Sequence, residues 1–141
     1  MKKQFARQST QQQAFTMIEL LVVTTIIIVL TAIGIVSFRH ASRSARNGRR
    51  KADLETVRQG LMLYKSENGC YPVVSPFSDM KATIEPYMGE AGIVDPKNNA
   101  TYFYSYVPSG SCGGGAEAAD FTLQARLEDE ATPTVYEVSS P

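Results

Sequence analysis

LLVVTTIIIVLTAIGIVSF, residues 20–38, runs for 19 positions without a charge. As a helix rising 1.5 Å per residue it spans roughly 28 Å, close to the ~30 Å hydrocarbon core of a bilayer. Leu21, Val22, Ile26, Ile27, Ile28, Leu30, Ile33 and Val36 point all round such a helix, whereas a core helix of a soluble domain is rarely apolar on every face. The β-branched content alone favours a strand, but buried strands run about 4–8 residues. The segment therefore predicts a membrane-inserting helix. A secretory signal peptide is the competing reading. Lys2, Lys3 and Arg7 give it a charged start, and Ala32-Ile33-Gly34 offers small residues for cleavage. Its apolar stretch should be only about 7–15 residues, shorter than this one.

Just upstream stands Glu19, a carboxylate at the head of an apolar helix. Such a charge is costly in lipid unless it is neutralised, paired or held near the interface. Thr16-Met17-Ile18-Glu19 has the form of a capping box, with Thr16 as the cap and Glu19 three residues on. The helix dipole also favours an anion at this end.

Taken together, Ala14-Phe15-Thr16-Met17-Ile18-Glu19-Leu20-Leu21-Val22-Val23 resembles the class III signal of type IV pilins and pseudopilins. The resemblance implies that prepilin peptidase cuts between Ala14 and Phe15 and that Phe15 is then N-methylated. It also implies that Glu19 is the acid that the freed amine of Phe15 on a neighbouring copy neutralises, fixing axial register. A carboxylate enclosed among packed helices needs such a cation, and it has acceptor sites enough for cap and partner together. Two departures from the family stand out. Ala14 replaces the usual Gly before the cut, and Val36 occupies the place of a common helix-bending Pro. The implied fold is α+β: a long N-terminal helix packed against a small antiparallel β-sheet head. The implied organisation is a leader, 1–14; a transmembrane and polymerisation helix, 15–38; an amphipathic continuation, 39–69; and a globular β head, 70–141.

Helical character continues from Phe38 to a C-cap pair, Asn68-Gly69. Phe38, Ala41, Ala45, Gly48 and Ala52 make a small-residue stripe that lets helices approach closely. Leu54, Val57, Leu61 and Tyr64 make a larger apolar stripe, expected to hold the head. Gly60 lowers helix propensity there. Between these runs Arg39, Arg43, Arg46, Arg49, Arg50 and Lys51 form a basic segment. The first reading is a solvated or headgroup-contacting collar. The alternatives are a surface meeting acidic neighbours and a polyanion site, and no interleaved aromatics support the last. Six cations follow the apolar run and three precede it. By the positive-inside rule alone, the C-terminal part would stay cytoplasmic. The resemblance implies the reverse, with the head outside.

Residues 70–141 are too few for a large independent core. Tyr102–Val107 alternates as a strand, with three Tyr on one face and Phe103 and Val107 on the other. Phe121–Leu127 alternates with Phe121, Leu123, Ala125 and Leu127 inward, and Val135–Val138 is a short third strand. Cys70 and Cys112 are the only cysteines. They are expected to pair in an oxidising compartment and to stay free, buried thiols otherwise. Arg50-Lys51-Ala52-Asp53-Leu54, Asn68-Gly69-Cys70-Tyr71-Pro72 and Asp95-Pro96 ahead of Tyr102 resemble major pseudopilins of type II secretion. That resemblance raises calcium as a ligand, with Asp120, Glu128, Asp129 and Glu130 as candidate oxygens. They lack a recognisable ligand spacing, and a solvated acidic turn is the simpler reading.

No nucleophile–base arrangement and no phosphate loop occurs, and Gly113–Gly115 lacks the Lys and Ser/Thr of a Walker motif. His40 reads as a surface residue, no cofactor other than that calcium is implied, and an enzyme is not expected. The formal net charge of zero gives no whole-molecule pull toward nucleic acid. The expected function is a filament subunit of a type IV pilus or type II secretion pseudopilus. Its implied partners are further copies of itself, minor pilins, prepilin peptidase, the assembly platform and, before assembly, the cytoplasmic membrane. Its implied location is a single pass with the head outside, then an extracytoplasmic filament. The alternatives are a membrane-tethered binding module on the same anchor, serving adhesion or DNA uptake, and a soluble domain released by ordinary signal peptidase.

Overall fold

A computed structural model describes residues 15–89, 92–113, 118–128 and 134–141. The implied leader, with Ala14 at its end, lies outside the described residues. The chain divides into two units, residues 1–39 and 40–141. One helix, α1 (Met17–Asn68), contributes to both.

In the first unit, every described side chain is exposed. The β-branched run is helical throughout, as its length predicts. Its threonine hydroxyls are absorbed locally: Thr24 and Thr25 donate to the Leu21 carbonyl at 2.9 and 2.8 Å, and Thr31 to Ile27 at 2.7 Å. Such back-bonding removes free donors from an apolar surface, as a hydrocarbon environment demands. The helix is long and apolar enough to cross a membrane.

In the second unit, residues 40–68 of α1 pack on an antiparallel sheet of β1 (Tyr104–Ser109), β2 (Asp120–Arg126) and β3 (Val135–Ser139), in that spatial order. Leu54, Val57 and Leu61 are fully buried and Tyr64 packs at the edge of the core, so the larger apolar stripe holds the head as expected. From the sheet come Tyr104 and Tyr106 of β1, Phe121, Leu123 and Ala125 of β2, and Val138 of β3. β2 buries every second residue up to Ala125, and its register sets Leu123 opposite both Tyr106 and Val138; Leu127, expected inward, lies past the end of the strand and is only half-buried. Phe103 and Val107 are half exposed, so the tyrosine face of β1 is the inward one.

β1 begins two residues later than the alternation predicts. Asn99 accepts hydrogen bonds from the backbone N–H of Thr101 and Tyr102, at 3.0 and 2.9 Å. This local turn takes Tyr102 out of the ladder. Pro108 is accommodated because β1 is an edge strand.

A second helix, α2 (Phe77–Met88), has no counterpart in the sequence reading. Met80 and Ile84 are buried from it, with Phe77, Tyr87 and Met88 packed beside them. It also explains Gly60: a Cβ there would collide with the Met88 side chain. The glycine is a packing requirement that outweighs its cost of about 1 kcal/mol in helix propensity.

α1 ends as predicted. Gly69 has φ 86° and donates its N–H to the Lys65 carbonyl at 2.7 Å, a left-handed C-cap. Cys70 follows and is disulfide-bonded to Cys112, 42 residues away, with Cα atoms 6.0 Å apart. In the chain-entropy account a loop of that size contributes about 4 kcal/mol. Beside the bridge, Tyr71 pairs with Ala118 in a lone β-bridge and stacks edge-on against Phe121 at 4.7 Å.

Candidate functional site

In the first unit the predicted capping box is formed. The Thr16 N–H and hydroxyl both donate to Glu19 Oε2, at 2.8 and 2.7 Å, and the Glu19 N–H donates back to Thr16 Oγ1 at 3.3 Å. Both bonds converge on one carboxylate oxygen. Glu19 Oε1 receives no hydrogen bond from any described residue. Phe15 precedes the helix and is exposed, as are Ile18, Val22 and Val23 around the acid. The cap therefore fixes the Glu19 side chain at the tip of the helix and leaves half its acceptor capacity open.

The second unit contains a buried charge network that the sequence reading missed. Arg50, expected in the solvated collar, is 0 % exposed. Its guanidinium grips Asp95 bidentately, with Nε to Oδ2 at 2.7 Å and Nη2 to Oδ1 at 3.1 Å, and Nη1 reaches Glu128 Oε1 at 2.9 Å. Arg46 holds the same Glu128 with two bonds of 2.8 and 2.7 Å, and Lys97 Nζ lies 2.7 Å from it. Asn47 braces the cluster from α1, accepting from the Glu128 N–H at 2.8 Å. Tyr102 lies under the Arg50 and Lys97 cations, its ring centre 4.9 and 4.6 Å away.

Glu128, expected in a solvated acidic turn, is thus buried beneath three cations. Hydrogen bonding by Arg46 leads the forces that hold its carboxyl far below the ordinary range, with Lys97 and Arg50 adding to it against the opposing effect of burial. Burial pushes the Asp95 carboxyl up, but Arg50 and the backbone N–H groups of Lys97 and Asn98 outweigh it, and the net shift is downward. Burial and a hydrogen bond to Asp53 at 2.7 Å raise the Tyr104 hydroxyl well above its usual value.

Of the acids considered as calcium oxygens, the two described ones are engaged elsewhere. Asp120 accepts from the Ser140 hydroxyl at 3.0 Å, and Glu128 is committed to Arg46, Arg50 and Lys97. Asp129 and Glu130 lie outside the described residues. Among the described residues no group of three His, Cys, Asp or Glu side chains is arranged to hold a metal ion.

Surface depressions are also present among the described residues of the second unit. A cleft of about 570 Å³ runs between α2 and β1, with Phe77, Lys81, Glu85, Phe103 and Tyr106 among its walls. A groove of about 380 Å³ lies along α1, bordered by His40, Arg43, Ser44, Gly48 and Lys51, with Leu127 and Glu128 opposite.

The Arg50 network left a faint trace in the sequence. Arg46 and Arg50 stand one helical turn apart, and Asp95 interrupts an otherwise neutral stretch, Gly92-Ile93-Val94-Asp95-Pro96. Nothing in that spacing says that the two meet. Comparison with models of known protein families finds no match, and neither curated proteins nor solved structures yield one.

Proposed function

We propose that this chain is a filament subunit of the type IV pilin or type II secretion pseudopilin kind, assembled through its N-terminal helix. The supporting observation is an exposed, apolar helical segment tipped by one capped carboxylate. An apolar surface of that extent marks contact with lipid or with other protein. The open Oε1 of Glu19 suits a cation arriving from outside the molecule, and the amine freed before Phe15 on a neighbouring copy is the one proposed. Among the packed apolar helices of a filament such a pair sits in a low dielectric, so losing one partner leaves an uncompensated charge and costs about 3–5 kcal/mol. The reading assigns the head no catalysis. It puts the head outside the membrane, an environment in which the Cys70–Cys112 bridge persists.

Two measurements test this. The mass of the mature N-terminus should correspond to a chain beginning at methylated Phe15. Glu19→Gln should abolish filament assembly while the head keeps its melting temperature, because the substitution lies outside the second unit. Normal filaments from Glu19→Gln would falsify the pairing. The cleft between α2 and β1 favours a second reading, a membrane-tethered binding module. For that module Glu19→Gln would leave function intact, and blocking the cleft would remove it.

A further inference from the structure

The basic segment does not act as one surface. Arg46 and Arg50 are consumed by Glu128 and Asp95, and Arg49 lies 3.8 Å from Asp53. His40 and Arg43 are exposed and make no hydrogen bond or ion pair with any described residue. Lys51 lies over the Tyr136 ring, its Nζ 5.2 Å from the centre, with no described carboxylate in ion-pair range. These three side chains, none of them paired with a described carboxylate, border the same groove of about 380 Å³. On α1 they fall at steps of three and eight residues, which is one helix face.

We propose that this groove binds the phosphate of an anionic lipid headgroup. Arg43 offers a planar fork matched to phosphate oxygens, and Lys51 a mobile ammonium. His40 adds a ring N–H. Gly48 keeps the floor open: a Cβ built there meets nothing within 4 Å. Glu128 borders the groove, but Arg46, Arg50 and Lys97 already neutralise it. The chain position selects the source of the phosphate. His40 comes two residues after Phe38, the end of the uncharged run. Cations that follow a membrane segment closely sit within the field of anionic headgroups. This inference rests on the reading that residues 20–38 enter a bilayer.

The test uses the full-length protein, purified in mild detergent and reconstituted into vesicles. One set contains phosphatidylcholine alone and the other phosphatidylcholine with phosphatidylglycerol. Lipid retained by the protein is then counted by native mass spectrometry. The wild type should insert into both vesicles and retain phosphatidylglycerol preferentially. Arg43→Gln with Lys51→Gln should lose that preference by roughly fivefold per cation, with the head's melting temperature unchanged. Gly48→Leu, which fills the groove and removes no charge, should weaken it too. Insertion into neutral vesicles with no preference for the anionic lipid overturns the proposal and leaves the membrane reading intact. Failure to insert into either vesicle overturns the membrane reading itself. Inorganic phosphate retained as firmly as phosphatidylglycerol would make this a free-phosphate site and overturn the lipid assignment. Undiminished lipid preference in the double variant, with loss of self-assembly, would assign the groove to acidic neighbouring copies and likewise overturn it.

Discussion

The two portions of α1, residues 20–38 and residues 40–68, share one backbone ladder and solve opposite problems. The first is apolar on every face and buries none of its side chains within the molecule. Its three threonine hydroxyls are satisfied by the preceding turn. The second is amphipathic, buries Leu54, Val57 and Leu61 completely, and ties two arginines to carboxylates more than forty positions away in the chain. Helix formation is therefore not what distinguishes them. The difference lies in whether the apolar surface finds its cover inside the chain or must find it elsewhere.

Substitutions can set the two portions against each other. The largest effect is expected from Arg50→Met, which leaves Asp95 and part of Glu128 buried without their cation. Chemical denaturation of the head should show a loss of about 3–5 kcal/mol. A loss below about 1 kcal/mol would mean that the network is solvated and that Arg50 belongs with the surface cations after all.

A paired comparison comes next. Leu54→Ala should cost about 2–5 kcal/mol through lost burial and a residual cavity. Ile28→Ala removes a similar side chain from the exposed run and should stay within about 0.5 kcal/mol in the same assay. Equal effects from the two would erase the distinction between the portions.

The mildest perturbation of the network is a change of pH. Glu128 and Asp95 both titrate below their ordinary values in the folded head. The unfolded chain therefore binds more protons there, and stability rises with pH. Their contribution is fully present above the usual carboxylate range, about 4 and higher. It is lost progressively as acid drives the pH down through the depressed folded values. The melting temperature of wild type should fall on acidification below about pH 4, and Arg50→Met should reduce that dependence without abolishing it, because Arg46 and Lys97 still hold Glu128. A wild-type profile as flat as the variant's would show that the two carboxyls are not held by this pair of contacts.

Much of the head was legible one residue at a time. The alternation of Phe121, Leu123 and Ala125 located β2 and its inward face, because period-two burial is a local property. Asn68-Gly69 located the end of α1 for the same kind of reason. α2 went unread although Phe77, Met80, Ile84 and Met88 stand at helical spacings. Pro72 and Pro76 before it, and Pro86 within it, are the usual signs of a broken chain. The capping box was legible in full, since its partners lie three residues apart.

The apolar run, the acid at its head, the cap that holds it and the strand alternation were determined by the sequence alone. Each depends on residues that are neighbours along the chain, where spacing dictates geometry. Which arginines would be buried, which acid would receive them and which cations would remain open to the outside were decided only when α1 met the loop at Asp95 and the end of β2. Burying a charge is a collective matter. It requires a desolvated site and a counter-charge delivered from far along the chain, and no local pattern records that meeting.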